Sequence, residues 1–529
     1  MFIGSATPMR QAGEPGDALR PLVSSFRYPQ GSTTLTNVLQ DHLRAVVDIG
    51  GDELCVADQA GRARWSDLEG TITRMEALLS DLGLPAGSAI GVVARNAVPN
   101  ALAILSVLGS GRCAVYFNGL QPIEKLSSDI RGVRPALILG AREDFSEELL
   151  NLLQDLGIGA IALSPAGELL ALGDIPERSG DYHAVAPGSA IEIQTSGTTG
   201  TPKRILLATK IIVDSMQEGI RAATDGSLHI KRSPTLLFAP LGHAGGTFAL
   251  LLSAFEARPT ILFSKFRIEA FRAAILEHRP RFVSLPPPML RMVLDSDMTR
   301  EDLSSLLAVR CGTAPLDPVT QKAFEDRFQV PVLITYGATE FMGALARWTL
   351  NDHKNFIETK RGSVGRISPD TQMRIVDQTS GEPSPPGEVG ILEVRGSRVQ
   401  SKDWLRTTDL GRIDEDGFLF IAGRADDAII RGGFKILASQ VVDVLNQHER
   451  VYEAAVIGVP DARLGEVPVA AVEPKEGLEP PTVEELEAFA RKHLIAYQVP
   501  ARFLIVPKLP RTVSLKVSRP DVRALFANS

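Results

Sequence analysis

The sequence predicts an α/β protein, with a large doubly wound β-α portion followed by a smaller α+β portion. Three observations lead there. Short apolar runs alternate with longer amphipathic ones through the first part of the chain and again after its middle, the rhythm of parallel β-α units. Past Arg361 the pattern changes to period-two alternation with many glycines and prolines, which suits antiparallel strands and turns. From about Asp427 a compact set of two strand-like runs and a strong helix follows. At 529 residues the chain is longer than one hydrophobic core usually organises, so two or more domains are expected.

The elements follow in order. Residues 88–96 read as a strand and 99–111 as a helix. Residues 113–118, 135–140 and 159–164 are further strands, separated by helices over 122–133 and 147–157. The rhythm resumes at 281–290, 306–316 and 330–340, each an apolar strand running into a loop of small or polar residues. Open α/β sheets bind ligands at such strand ends. In the last part, 451–459 and 468–474 read as strands, and 482–494 as a helix with Thr482 as its N-cap. The stretch 233–255 contains no Asp, Glu, Lys or Arg, but Pro240, His243, Gly245 and Gly246 interrupt it. It reads as a strand, a loop and a helix starting near Thr247, rather than as a membrane span.

Bulk properties narrow the function. Apolar residues make up 44% and charged residues 22%, with 56 basic against 63 acidic side chains and a net charge of −7. No basic stripe is present, so a nucleic-acid surface is not expected. Cys55, Cys113 and Cys311 are too few and too scattered for a disulfide framework or a zinc cluster, and read as core residues. The first residues lack a basic region followed by an apolar run. A cytoplasmic protein is the expectation.

One stretch has the chemistry of a phosphate site. Thr195, Ser196, Gly197, Thr198, Thr199, Gly200, Thr201, Pro202 and Lys203 follow a strand-like run. The glycines permit close backbone approach, hydroxyls and amides can form an anion nest, and Lys203 adds a positive charge. It is not a Walker A sequence. The same composition also describes a flexible polar turn.

This stretch resembles the phosphate loop of the adenylate-forming superfamily of acyl-CoA synthetases, adenylation domains and luciferases. Further motifs arrive in the order that family has, and the resemblance runs from about Thr34 to Leu525. Tyr336-Gly337-Ala338-Thr339-Glu340 resembles its Tyr-Gly-x-Thr-Glu. That implies adenine contact for Tyr336, α-phosphate contact for Thr339 and a Mg²⁺ ligand in Glu340. Gly312-Thr313-Ala314-Pro315 resembles the adenine-pocket loop. Thr407-Thr408-Asp409 is similar to Thr-Gly-Asp, which implies that Asp409 holds the ribose hydroxyls; Thr408 stands where Gly is usual, which disfavours a left-handed backbone there. Gly423 to Asp427 resembles the hinge region, with Arg424 touching ribose or phosphate and Asp426 as pivot. Gly432 and Gly433 fall in the turn that the resemblance assigns to coenzyme A, although Ala438-Ser439-Gln440 replaces the usual Pro-x-Glu downstream. Leu509 to Lys516 is similar to the terminal Leu-Pro-Arg-Thr-x-x-Gly-Lys, which makes Lys516 the adenylation lysine, with Leu515 in place of Gly. A lone His beside glycines is ordinarily a loop or core residue, but the setting of His243 resembles a motif whose ring gates the acid pocket.

The resemblance further implies an N-terminal adenylate-forming domain over 1–425, including a small β-barrel subdomain, and a mobile C-terminal lid over 426–529. The expected reaction activates a carboxylic acid with ATP and Mg²⁺ to an acyl-adenylate and passes the acyl group to coenzyme A. A stand-alone enzyme loading a carrier protein is the alternative, and a non-catalytic binding protein ranks below both. No carrier segment follows Lys516, which favours coenzyme A. Residues 244–252 are small or apolar, which disfavours an amino acid and favours an aliphatic or aromatic acid. The oligomeric state is left open, with a homodimer among the options.

Overall fold

The computed structural model describes residues 38–85, 88–175, 182–195, 203–223, 228–399, 401, 403–512 and 515–527. A seven-stranded sheet runs in the order 169–171, 159–163, 137–141, 89–94, 113–118, 189–195 and 203–208. Its five inner strands pair in parallel and its two edge strands antiparallel. Ala89–Ala94 is buried at every position, as strands covered on both faces must be. The helix Val98–Gly109 is likewise buried at all its positions, so it lies inside the large domain instead of on its surface. Strand Ala89–Ala94 is flanked by the two strands that follow it in sequence, so the strand order reverses there, the kind of point where a crevice opens at the strand ends.

A second, five-stranded sheet takes Phe282–Ser284, Ala308–Cys311 and Val332–Tyr336 in parallel, then Ala346–Arg347 and Arg366–Ile367 antiparallel. The 281–290 stretch departs from expectation. Its strand ends at Ser284 and its prolines open a helix, Pro287–Asp295, because the first helical turn needs no backbone donor. The uncharged stretch gives strand Thr235–Leu237 and helix Ala244–Phe255, which starts three residues earlier than expected, with His243 at its N-cap. No helix among the described residues is long and apolar enough to cross a membrane.

Four antiparallel strands, Thr371–Val376, Gly390–Gly396, Leu405–Ile413 and Leu419–Arg424, form the next subdomain. The expected β-barrel is corrected here: the first and last of these strands do not pair, so the described strands form an open sheet. The C-terminal part has a sheet of Phe434–Leu437, Ala428–Arg431, Gly465–Pro474 and Val451–Asp461, with Arg502–Ile505 added in parallel. Thr482 caps helix Val483–His493 as expected: its hydroxyl accepts from Glu485 N at 3.2 Å, and the Glu485 carboxylate accepts from Thr482 N at 2.8 Å. The three cysteines are free and buried, and burial pushes the Cys113 thiol up to about 12.

Candidate active site

The site is assembled where the second sheet, the open sheet and the C-terminal part meet. Strand Val332–Tyr336 delivers Tyr336 at its end, and the Tyr336 hydroxyl donates to Asp409 Oδ2 at 2.5 Å. Burial and the neighbouring Asp409 carboxylate push the Tyr336 phenol well above its ordinary value, which keeps it a donor. Asp409 lies directly across the ladder from Arg424. Arg424 closes a fork on Asp426, with Nε and Nη2 each at 2.9 Å, and Nη2 also donates to the Thr408 hydroxyl at 2.5 Å. Its Nη1 stands 3.9 Å from Asp409 Oδ1. Thr408 is absent from the residues with left-handed backbone, in line with its replacing a glycine. Its hydroxyl supplies an acceptor that glycine lacks.

Small residues bring backbones together around this pair. A Cβ at Gly312 would meet the Thr335 hydroxyl at 2.4 Å, and one at Gly337 would meet Gly343 O at 2.1 Å, so neither position has room for a side chain. Thr313 has φ +69, a conformation that non-glycine residues rarely adopt. Its methyl lies 3.4 Å from where a Cβ on Gly245 would stand, so the 312–314 loop touches the start of helix Ala244–Phe255. Thr339 and Glu340 sit on a short 3₁₀ turn anchored by buried Phe341, with Glu340 exposed.

Lys516 enters from the C-terminal part on a tight hairpin. Thr512 N donates to Lys516 O at 2.7 Å, Leu515 N to Thr512 O at 2.9 Å and Ser518 N to Pro510 O at 2.8 Å. Arg511 ties the hairpin down: it bonds Glu453 at 2.5 Å, Glu473 at 3.4 Å and the Leu515 carbonyl at 3.3 Å. Lys516 is exposed, and partial loss of hydration, with Arg424 pushing the same way, holds its ammonium below the usual lysine range. His243 is held low by burial and then by Lys516. Lys516 therefore lies within reach of the fields of both Arg424 and His243. Mutually repelling groups gathered at the end of a strand and a helix N-terminus favour an anion between them.

Ser196, Gly197, Thr198, Thr199 and Gly200 lie outside the described residues, as do Thr201 and Pro202. Their flanks are in place: Thr195 pairs with Lys203 across the antiparallel edge of the large sheet. Gly432 and Gly433, with φ +56 and +88, form an exposed turn against Leu464 and are not brought to the Lys516 cluster. Sequence reasoning gave no role to Arg511, Glu453 or Glu473. Arg511 lay inside the terminal motif, but nothing in sequence joined it to carboxylates on two distant strands.

The chain matches the family model described as AMP-binding enzyme over residues 43–401, and the AMP-binding enzyme C-terminal domain over 441–516. It is 27% identical to an oxalate–CoA ligase of Arabidopsis thaliana over 85% of this chain and 90% of that one. A 4-coumarate–CoA ligase-like protein of Oryza sativa is 31% identical over 63% of each chain, so this chain spans less than two thirds of that relative. Among solved structures, the amide bond synthetase McbA of Marinactinospora thermotolerans superposes with a TM-score of 0.77 at 27% identity, covering 92% of this chain and all of that one. ATP-bound MatB of Rhodopseudomonas palustris has the same fold, with a TM-score of 0.77 at 21% identity over 92% of this chain and 99% of that one.

Proposed function

The chain belongs to the AMP-binding enzyme family, and from that premise we propose that it activates an aliphatic or aromatic carboxylic acid as its acyl-adenylate and transfers the acyl group to coenzyme A. The observation that carries the reading is the convergence of Lys516, Arg424 and His243 beside the Tyr336–Asp409 pair. A carboxylate oxygen attacks the α-phosphorus of ATP, the bond to the bridging oxygen breaks, and pyrophosphate leaves. Negative charge is concentrated on the α-phosphate as this happens, and Lys516 and Arg424 offset it. Thr339 contacts the α-phosphate, and Asp409 accepts from the ribose hydroxyls while Tyr336 fixes its orientation and lies against adenine. Gly312, Thr313, Ala314 and Gly337 admit the flat base against bare backbone. Residues 195–200 and Lys203 receive the leaving pyrophosphate.

Glu340 is the residue to hold Mg²⁺, which when bound neutralises phosphate charge. His243, held low in its pKa, presents a neutral ring to the acid. The small and apolar residues of helix Ala244–Phe255 offer no partner for an α-ammonium, whose unpaired burial costs several kcal/mol, so amino acids are poor substrates. For the second step the C-terminal part, from Asp426 onward, turns to carry Lys516 out and the exposed Gly432–Gly433 turn in. The thiol sulfur then attacks the acyl carbonyl, the thiol proton is lost and AMP leaves.

The test is pyrophosphate release over a panel of acids, with mass spectrometry of the product. ATP- and acid-dependent release with a coenzyme A thioester as product is expected. Release followed by acylation of a carrier protein only, or of an amine only, would replace the acceptor; no release with any acid would refute activation.

A further inference from the structure

Tyr452 sits at a break in its ladder. Val451 pairs with Pro474 and Glu453 with Glu473, so strand Val451–Asp461 carries an extra residue there and Tyr452 is left out of the pairing. Such a bulge frees backbone groups and re-aims a side chain. The large domain takes up both. Arg291, on helix Pro287–Asp295, donates from Nη1 to the Tyr452 carbonyl, and its guanidinium lies over the Tyr452 ring, 5.2 Å from the centroid. The other side of the same guanidinium is held within the large domain. Its Nη2 donates to Asp317 Oδ2 at 3.0 Å and to the Thr320 hydroxyl at 2.9 Å. Asp317 follows the 312–315 loop and caps helix Pro318–Phe328, with Oδ1 accepting from Thr320 N at 2.8 Å. These bonds fix the planar fork from the large-domain side, so seating Tyr452 on it orders little that is not already ordered.

A continuous line of bonds runs on from Tyr452 to Lys516. The next residue, Glu453, faces Glu473 across the ladder, where two carboxylates repel. Arg511 offsets that repulsion by bonding both, at 2.5 and 3.4 Å, and its Nη1 reaches the Leu515 carbonyl at 3.3 Å, beside Lys516. Glu473 also accepts from Leu509 N at 2.8 Å, where the chain enters the hairpin. Where Tyr452 sits against Arg291 therefore sets where the Lys516 hairpin stands over the large domain.

We propose that Arg291 is a positioning residue for adenylation: it seats the C-terminal part on the large domain through the bulged Tyr452, and so holds Lys516 in place while the acid is activated. This rests on the acid-activation reading and deepens it. Arg291 acts through Tyr452 and Arg511 rather than on the reacting atoms. It therefore contributes to the step that uses Lys516, and not to the thiol step that follows when the C-terminal part has turned.

The test measures pyrophosphate exchange and, separately, thioester formation from supplied acyl-AMP and coenzyme A. Arg291→Met keeps an unbranched stem and loses the fork. It should lower adenylation by about tenfold or more, the scale of one hydrogen bond to a charged group. Arg291→Lys, which keeps the charge, should recover part of that loss, and Tyr452→Leu, which removes the ring but keeps the carbonyl, should lose less. Thioester formation should be unchanged or faster in all three, which a merely structural role would not give. Unchanged adenylation in Arg291→Met, or equal losses in both half-reactions, overturns the proposal. The seating is also read without turnover, by the distance between spin labels at Lys354→Cys and Lys492→Cys with a non-hydrolysable ATP analogue bound. Both positions are exposed, one on each part, and the native cysteines are buried. Arg291→Met should shift and broaden the wild-type distance distribution. That shift, in a protein that releases no pyrophosphate with any acid, would refute activation and leave the seating by Arg291 supported; identical distributions overturn the seating.

Discussion

Leu515 stands where the family's motif has glycine, and its backbone has φ +63, the region where a Cβ is strained. The cost for a non-glycine residue is about 1–2 kcal/mol. Its side chain is half-buried and packs on the large-domain core that holds Val309 and Cys311, although it belongs to the C-terminal part. Burying a whole leucine contributes about 1.5–3 kcal/mol, so a half-buried one contributes about 1 kcal/mol. Strain and contact thus nearly cancel in overall stability, but they do not act on the same states. The strain belongs to the hairpin and persists wherever the C-terminal part goes. The contact exists only while Lys516 is docked in the site. Leu515→Gly removes both, so the melting temperature should hardly move while the docked arrangement loses about 1 kcal/mol, about a fivefold fall in its population relative to the turned one. Leu515→Ala keeps the strain and loses the contact, so it should undock as much and also melt earlier. The assay measures the half-reactions separately: pyrophosphate exchange for adenylation, and thioester formation from supplied acyl-AMP and coenzyme A. Adenylation should fall by about threefold to tenfold in both variants while thioester formation is unchanged or faster. Unchanged adenylation in Leu515→Gly, or equal losses in both half-reactions, would refute the idea that Leu515 latches the adenylation state.

Three further outcomes are expected. Glu340→Gln should depress adenylation most at limiting Mg²⁺ with folding intact; near wild-type rates there would remove the metal role from Glu340. Lys516→Ala should lose about two or more orders of magnitude in adenylation yet still convert supplied acyl-AMP, while Asp426→Pro, which fixes φ at the pivot, should do the reverse; loss of both steps in both variants would leave domain rotation unsupported. Asp443, on the C-terminal helix Ala438–Leu445, is pushed up to about 6 by burial and by Asp317 of the large domain. Its charged form is therefore the disfavoured one in the docked state, so docking is favoured below the free carboxylate's pKa and weakens as pH rises to about 6. Asp443→Asn should flatten that trend, followed by protease sensitivity of the docked interface between pH 4 and 7, about the window the shift defines; an unchanged profile would sink it.

Much of the fold was legible because it rests on local signals. Runs such as 89–94 and 113–117 are apolar throughout, as strands covered on both faces require, and Thr482 with Glu485 spells a capping box. Closure of the open sheet was not legible, since period-two alternation fixes faces and says nothing about whether the end strands meet. The early start of helix Ala244–Phe255 escaped because glycines at its first turn read as loop. There, however, Gly246 lets the helix pack on Pro240 O, 2.1 Å from where a Cβ would stand.

The departures from the family motif do not fall at random. On the proposed rotation, Thr408, Leu515 and Gln440 all lie on or beside the surfaces the C-terminal part would use to dock and to turn. Thr408 accepts from Arg424, whose other bonds hold Asp426, so it adds a tie at the pivot itself. Leu515 adds apolar contact to the docked state. Gln440 bonds Gln498 at 3.3 Å within the C-terminal part, where the usual motif carries a carboxylate. The first two changes point in one direction, toward a longer-lived adenylation state, and the third leaves the thiol side with one charge fewer. On the proposed mechanism, adenylation machinery that is kept with a turning step that is slowed would make rotation the step that limits kcat. Turnover should then rise with solvent conditions that loosen apolar contacts while kcat/KM for ATP stays fixed. A burst of pyrophosphate ahead of the steady state is the signature of that ordering, and a linear progress curve from the first turnover would exclude it.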